Sequence, residues 1–373
     1  MTRHTKNFQL SSFNFQLIIV LASTMLTSCV NDIPYDAEIG APKLVLNAML
    51  RADSTLKATV GRTAHFLDTE DPQRLSDATV TATINGEDFP LVYDEASESY
   101  LSYYGLNAGD EVTLTATHAL GTVSATERVK YPTPIAVADA TMLPFTPPGD
   151  PLSAALLNEV DSALLVSIYI DDPAEETNYY RLTIHYEGSY EVTRPDDIYT
   201  RDYHTTEETF YPHYLFTESS TRLMTTSESM SQMLSGLLYM SSTNSFIFTD
   251  QNLRNADGLP VVDFLFLMES PASPNFNPES GWVEDDEWDD GYISPADTAS
   301  RATYRYAFTL EHLSEDYYKY IEDVTAFEMT GGAFVGEPMP IHTNIRGGLG
   351  IVGSYSTTEC SGERLFELSP AEQ

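Results

Sequence analysis

An acidic stretch in the last third of the chain holds the side chains that come nearest to a metal site. Asp286, Asp290 and Asp297 fall at positions one, five and twelve of a calcium-binding loop, and Gly291 falls at position six. Carboxylates at these positions suit calcium, which prefers oxygen ligands. Trp288 stands at position three and cannot bind the ion, and position twelve is Asp rather than Glu. A calcium loop and a solvated acidic loop are both open, and the sequence favours the solvated loop.

A second stretch, residues 196–216, mixes aromatic and histidine side chains. Its candidates for a ligand surface are Tyr199, Tyr203, His204, Tyr211 and His213. Such rings can stack on sugars or on aromatic ligands, and the two histidines could bind a metal. A spacing of nine residues without a third ligand nearby is a weak metal signal. Rings in strands also pack in cores, and the sequence favours that interpretation.

Signatures of common hydrolases are missing from the chain. It has no Gly-x-Ser-x-Gly elbow and no His-Glu-x-x-His motif. The 56 acidic residues always offer carboxylate pairs, so a glycosidase pair is neither indicated nor excluded. Cys360 has no histidine close to it in sequence and is expected to be a small residue near the final strand. We therefore predict no catalytic residue and no cofactor, with calcium as the one candidate ion.

Cys29 stands directly after a short apolar run and before an acidic segment. Residues 1–28 have a positive start, an apolar run and small residues before the boundary, as secretory signal peptides do. The letters LTSC at residues 26–29 resemble a bacterial lipobox. The resemblance implies cleavage before Cys29 and attachment of fatty acyl chains such as palmitate to its sulfur and new amine. The alternatives are a spanning helix, which polar residues in the run disfavour, and a chance cysteine near an ordinary cleavage site.

The lipid anchor predicts a location. One acyl chain holds a protein only marginally, at about 0.8 kcal/mol per buried methylene, whereas several chains make release negligible. Residue 30 is Val rather than the Asp of the inner-membrane retention signal known from other bacterial lipoproteins. We expect residues 29–40 to form an acidic tether in the outer membrane, with the cell surface favoured over the periplasmic face.

The charge balance excludes some partners. Removing residues 1–28 takes away Arg3 and Lys6 and no acid, so the net charge goes from −37 to −39. Nucleic-acid phosphates need many Lys and Arg side chains, so binding to nucleic acid is excluded. The same excess argues against an electrostatic hold on anionic lipid. With Cys29 acylated, the second cysteine has no partner for a disulfide within the chain.

Residues 41–133 alternate apolar and polar side chains in short runs. Asn85-Gly86 follows one run and is a strong signal for a two-residue hairpin turn. The predicted strands lie at residues 43–49, 56–60, 78–84, 89–93, 100–104, 112–117 and 122–129. Seven such strands predict an immunoglobulin- or fibronectin-like β-sandwich.

A larger β-rich domain is expected at residues 163–373, after a proline-rich linker at residues 134–162. Strands are predicted at residues 163–170, 179–186, 261–268, 303–310 and 351–355, and helices at residues 227–239 and 314–327. The expected fold class is mainly β, with the sandwich first and then a larger domain that has two or three short helices.

The C-terminal part also carries a family resemblance. The letters SEDYYKY at residues 314–320 precede EPMP at 337–340 and TNIRGGLGIVGSYS at 343–356. Earlier, PKLVL at 42–46 and NYYR at 178–181 fit the same pattern. These strings resemble the Bacteroidota outer-membrane lipoproteins of family 4249 of the domains of unknown function. The resemblance implies an outer-membrane lipoprotein that is usually encoded beside a TonB-dependent receptor, with no known activity and no catalytic residues to transfer. The acidic stretch near residue 285 is not part of that pattern.

The glycines of the last string allow two interpretations. Gly347, Gly348 and Gly350 permit backbone conformations that other residues avoid. A tight connection into the last strand is favoured over a ligand loop, because no strand-then-helix phosphate motif surrounds them.

Three functions are therefore expected, in this order. The first is a non-enzymatic accessory to a TonB-dependent receptor, which captures a ligand or covers the receptor during nutrient uptake. The second is a cell-surface adhesion or envelope-scaffold protein, and the third is an uncharacterised hydrolase.

Overall fold

The structure is a computed structural model of the 373-residue chain. It describes residues 41–64, 73–146, 160–173, 175–195, 203–210, 214–217, 223, 243–255, 257–269, 298–329 and 340–367. All of them belong to one compact unit, Pro42–Gln373, except residue 41.

The first part of the described chain consists of short strands. Their bounds are β1 (Leu44–Leu50), β2 (Thr55–Arg62), β3 (Thr79–Ile84), β4 (Glu87–Asp94), β5 (Ser99–Gly105), β6 (Glu111–His118) and β7 (Gly121–Arg128). Alternate side chains are buried along β1, β3 and β6, as the period of two in the sequence predicts. Asn85 and Gly86 have φ angles of 51° and 91° and join β3 to β4, which confirms the predicted hairpin.

The second part of the described chain has longer strands and one helix. The bounds are β8 (Ile135–Pro144), β9 (Val160–Ile170), β10 (Tyr179–Pro195), β11 (Tyr203–Phe210), β12 (Tyr214–Phe216), β13 (Thr243–Thr249), β14 (Val261–Glu269), β15 (Thr298–Leu313), α1 (Glu315–Met329) and β16 (Leu349–Glu367). A short 3-10 turn, Asp250–Asn252, follows β13. The mainly β class is thus confirmed. Of the predicted helices, 314–327 corresponds to α1, and 227–239 lies outside the described residues.

The strands form two sheets. The larger has twelve strands in the order β11-β10-β15-β16-β1-β2-β5-β4-β3-β6-β7, with β13 also paired to β10. The smaller has the order β12-β14-β9-β8. The immunoglobulin-like arrangement of residues 41–133 stays a prediction.

Strand β16 belongs to both parts of the chain. Its first six residues pair in parallel with β1, from Val45 opposite Leu349 to Leu50 opposite Ser354. Its remaining residues pair antiparallel with β15. The predicted boundaries at 133 and 163 stay predictions, but a strand from the predicted C-terminal domain completes the sheet of the N-terminal one.

The predicted linker at residues 134–162 is wrong over β8, which is a paired strand. Its prolines suggested a connection, yet β8 lies at the edge of the smaller sheet, and proline is tolerated in edge strands. Ile135, Val137 and Ala140 pack against the core, which gives this segment a buried side.

The two largest apolar clusters of the described residues form the cores of the two parts. The first lies among β1–β7 and includes Ile345 and Val352 from the C-terminal segment. The second lies between the smaller sheet and strands β10, β13 and β15, and aromatic rings cross it, such as Phe264 against Phe308 with centroids 5.2 Å apart. In the part of the chain that the structure describes, no helix is long and apolar enough to cross a membrane.

Candidate functional site

Two of the strings that carry the family resemblance, residues 314–320 and 343–356, meet beside helix α1. Residues 340–348, here called the strap, lie beside α1, pass β7 and lead into β16. The backbone of Arg346 pairs with that of Ser124 in β7. The hydroxyl of Thr343 donates to the carbonyl oxygen of Gly350 at 2.7 Å. The strap therefore closes the edge of β7 and leads directly into the shared strand.

Two acids of α1 hold the strap through His342 and Asn344. The backbone N–H of His342 donates to Asp323 at 2.7 Å, and its Nε2 lies 2.8 Å from Asp316 Oδ1. A carboxylate only accepts, so Nε2 carries the hydrogen. The amide of Asn344 donates to Asp316 at 3.1 Å and to the carbonyl oxygen of Val352 at 2.8 Å. His342 therefore joins the strap to the helix.

The glycines of the strap are required by close backbone approach. Gly347 has a φ of 83°, and a Cβ there would lie 2.6 Å from the carbonyl oxygen of Thr122. A Cβ on Gly348 would overlap the carbonyl oxygen of Leu44. This geometry supports the tight connection rather than a ligand loop.

Helix α1 begins beside a half-buried carboxyl group. Ser314 precedes the helix, and its hydroxyl accepts a bond from the Ser354 backbone at 3.1 Å. Glu315 and Asp316 lie in the first turn, where negative charge is favourable. Burial raises the pKa of Glu127 above its ordinary value, and the nearby charge of Asp316 adds to the effect.

A row of three hydroxyls on β16 fastens the segment that leads from β7 to β8. Successive inward positions of the strand each donate one hydrogen bond to a backbone carbonyl of that segment. The pairs are Ser354 to Arg128 at 2.6 Å, Ser356 to Tyr131 at 2.7 Å and Thr358 to Thr133 at 2.6 Å. We call these three residues the hydroxyl clasp. The clasp ties the connection between the two parts to the strand that they share.

Beneath the clasp lies a buried histidine. His312 Nδ1 is 3.0 Å from the Tyr131 carbonyl oxygen, so Nδ1 carries the hydrogen, and it is 3.1 Å from Thr133 Oγ1. Nε2 is buried and has no hydrogen-bond partner within the described residues. Burial lowers the pKa of His312 to about 4, and the positive charge of Lys130 adds to this lowering. The imidazole is therefore neutral at neutral pH.

The hydrogen bonds continue from Thr133 to a buried carboxylate. Thr133 Oγ1 lies 3.4 Å from the hydroxyl of Tyr180, which donates to Asp172 Oδ1 at 2.7 Å. Asn178 and Arg254 also reach Asp172, at 3.3 Å and 3.4 Å. Burial raises the pKa of Tyr180 far above its ordinary range, so its hydroxyl remains a donor. This network joins the segment before β8 to β10 and β15 at the end of the second core.

The hydrogen bonds around the strap and around His312 join chain segments that are far apart in sequence. Within the described ranges, no three His, Cys, Asp or Glu side chains are placed to hold a metal ion. Burial raises the pKa of Cys360 to about 11, so its reactive thiolate is scarce at neutral pH. Cys360 lies on β16 opposite Phe308, which agrees with its expected place near the final strand.

Most of the predicted site residues lie outside the part of the chain that the structure describes. Two candidates lie on β11, where Tyr203 pairs with Pro195 and His204 with Arg194 of β10. The others lie outside the described residues: Cys29, Tyr199, Tyr211, His213, Asp286, Asp290 and Asp297. The calcium and ligand-surface interpretations therefore stay predictions.

Sequence reasoning missed His312 and the buried network around it. His312 sits in an apolar, strand-like run, and its hydrogen-bond partners, Tyr131 and Thr133, are 181 and 179 residues away in sequence. The one local signal is a polar residue at an inward position of a strand whose other inward residues are apolar.

One comparison identifies the family. The sequence model of the family described as "Domain of unknown function (DUF4249)" matches residues 30–361. A search of curated proteins finds no match to the chain. The match covers nearly all of the chain, including the strap, the clasp and every described strand up to β15, and the chain therefore belongs to this family of domains of unknown function.

Proposed function

We propose that this protein is a lipoprotein of the bacterial outer membrane that serves as a non-enzymatic accessory to a TonB-dependent receptor. In this role it captures a ligand for the receptor or covers it during uptake. The observation that carries the proposal is the LTSC lipobox at residues 26–29, at the end of the leader. The resemblance to Bacteroidota lipoproteins encoded beside such receptors supports the choice of partner.

The tether supports a body that works close to the membrane. Twelve residues separate Cys29 from Pro42, and a fully extended chain of this length spans about 40 Å. The reach is enough to cover the mouth of a neighbouring membrane protein, and too short for contact with distant structures.

The immunoglobulin-like sandwich at residues 41–133 is part of the proposal. Such modules carry binding loops on a stable sheet framework or serve as spacers. The strands β1–β7 and the apolar core among them support a framework of this kind. Binding by loops favours the accessory role, and a spacer favours the adhesion or scaffold role.

The lipid anchor is tested by replacing the acylated cysteine. Cys29→Ser should abolish incorporation of labelled palmitate and release the protein from the outer-membrane fraction, while Cys360→Ser is the matched control and should change neither. Intact mass of the purified protein then reports the acyl chains directly. A bare thiol at Cys29, or a leader still attached, would contradict the proposal.

The receptor role is tested by co-purification and uptake. Detergent extracts of the native membrane should yield the lipoprotein together with its receptor. Deletion of the lipoprotein should lower uptake of the ligand of that receptor, and Cys29→Ser should have the same effect because the body no longer stays at the membrane. Unchanged uptake after deletion, with a structural partner recovered instead, would favour the adhesion or scaffold role.

A further inference from the structure

The strand nearest to the tether occupies a central place in the large sheet. β1 begins at Leu44, two residues after Pro42, and it lies between β16 and β2. A terminal strand at the edge of a sheet is paired on one side only, so a pull has to break a single ladder of hydrogen bonds. β1 is held on both sides, so a pull on the tether must break two ladders.

The direction of the ladders matters for such a pull. β1 pairs with β16 in parallel through six residue pairs, and with β2 antiparallel through five. Because β16 runs in the same direction as β1, its far end continues beyond the end of β1 that is remote from the tether. Opposed forces on the start of β1 and the end of β16 therefore shear the two strands along their length. In this geometry the hydrogen bonds of the ladder are stretched together.

Side-chain packing strengthens the same contact. The inward side chains of β1 are almost fully buried, with Leu46 and Leu50 at 0% exposure. Asn47 adds a bond across the ladder, since its Oδ1 accepts from the Ile351 backbone at 3.0 Å. Gly350 lets the backbone of β16 approach the carbonyl group of Leu46 closely.

From β16 the load passes into the rest of the body. Beyond Ser354 the strand pairs with β15, from Tyr355 opposite Leu313 to Glu367 opposite Arg301. The hydroxyl clasp fastens the same strand to the segment between β7 and β8. Strand β16 is therefore joined directly to β1, to β15 and to the segment between β7 and β8.

We propose that β1, clamped between β16 and β2, is a load-bearing attachment that passes force from the membrane tether into the whole β body. The force itself rests on the proposed function, since it arises when an acylated Cys29 holds the protein while a bound partner moves. The clamp is a property of the fold and can be measured without lipid.

Single-molecule pulling on the mature chain, residues 30–373, tests the clamp in two geometries. The first applies force between the two chain termini and loads β1 along β16. The second geometry uses a variant in which Arg346→Cys provides the attachment point and Cys360→Ser removes the other thiol. Force between the amino terminus and residue 346 peels β1 from β16, starting at Leu44. Arg346 is exposed and lies at the same end of the ladder as Leu44.

The unfolding force should be at least about twofold higher in the first geometry at equal loading rate, because the bonds then break together and not in turn. Equal forces in the two geometries would overturn the proposal. So would a first unfolding event at low force that releases residues 42–133 alone.

Two matched variants separate the clamp from general stability. Asn47→Ala removes one of roughly seven bonds between β1 and β16, and it should lower the force in the first geometry by about one seventh. Thr183→Ala removes a hydroxyl bond of 3.0 Å to Ser245 between β10 and β13, and it should leave that force unchanged. If both variants lower the force equally, β1 is not the clamp. A bare thiol at Cys29 would contradict the membrane anchor and leave the force ratio intact, so the two failures are distinguishable.

Discussion

The buried His312 makes the stability of this protein depend on pH in a direction that can be worked out. Burial lowers the pKa of its imidazole from the ordinary 6.5 to about 4 in the folded state. Between these values the unfolded chain binds a proton that the folded chain does not, so the free energy of unfolding falls as the pH falls. At 1.36 kcal/mol per pKa unit, the full loss is about 3 kcal/mol, most of it between pH 6.5 and 4.5.

The groups around His312 explain why its imidazole stays unprotonated in the folded state. Nδ1–H already donates to the Tyr131 carbonyl oxygen, and Nε2 has no acceptor within the described residues. The hydroxyl of Thr133 and the ring of Tyr180 are its neutral neighbours, and Lys130 is the nearby charge. A protonated Nε2 would be a buried, unpaired donor beside a like charge.

The assay is urea unfolding followed by circular dichroism at pH 7.5, 5.5 and 4.5, on the wild type and on two variants. His312→Gln removes the titrating group, and Thr183→Ala is the control, since it removes a hydroxyl group that does not titrate from the neighbouring strand β10. The stability difference between the wild type and His312→Gln should shrink by about 2–3 kcal/mol from pH 7.5 to 4.5. The difference between the wild type and Thr183→Ala should stay nearly constant, because that substitution removes no titratable group.

The many Asp and Glu side chains also make the free energy of unfolding depend on pH, and they do so equally in all three proteins. Their contribution therefore cancels when the wild type is compared with each variant at the same pH. Parallel loss of stability in the wild type and in His312→Gln would refute the reasoning. It would mean that His312 takes its proton in the folded state as readily as in the unfolded one.

Three further predictions concern the strap, the buried network and the acidic loop. Gly348→Ala should lower the free energy of unfolding, measured in urea, by about 2–4 kcal/mol, because backbone and side-chain atoms occupy the space of a Cβ. Gly105→Ala is the control and should cost about 0.5 kcal/mol or less, because no atom lies within 4 Å of a Cβ there. Tyr180→Phe should cost about 1–3 kcal/mol, since the buried Asp172 loses its shortest hydrogen bond; an unchanged unfolding midpoint would show that another donor replaces it. Calorimetric titration with millimolar calcium should give no binding heat, as the solvated-loop interpretation requires; heat that Asp290→Asn abolishes would support the calcium loop instead.

Local pattern was enough to find most elements of the fold. Strict alternation of apolar and polar residues in β3 and β6 identifies half-buried strands, because successive side chains of a strand point to opposite faces. Ser314 with Glu315 and Asp316 identifies the start of α1 for an equally local reason, since hydroxyl and carboxylate groups satisfy the free N–H groups of the first turn.

Local sequence pattern did not identify segments whose structure depends on pairing and packing with other segments. The prolines around β8 suggested a connection, and only the neighbouring β9 and the second core make it a strand. The full length of β16 was equally hidden, because its two portions face different neighbours and no single period runs through it.

The sequence by itself determined the mainly β class of this protein and predicted its location: the lipobox-like LTSC at residues 26–29, the acidic charge and the alternating strands depend only on neighbours along the chain. The tertiary structure decided that the first strand and the last lie side by side, and that His312 meets Thr133 across 179 residues. The physical reason is that side-chain period and turn chemistry are local, whereas strand partners and buried polar networks are selected by packing among residues far apart in sequence.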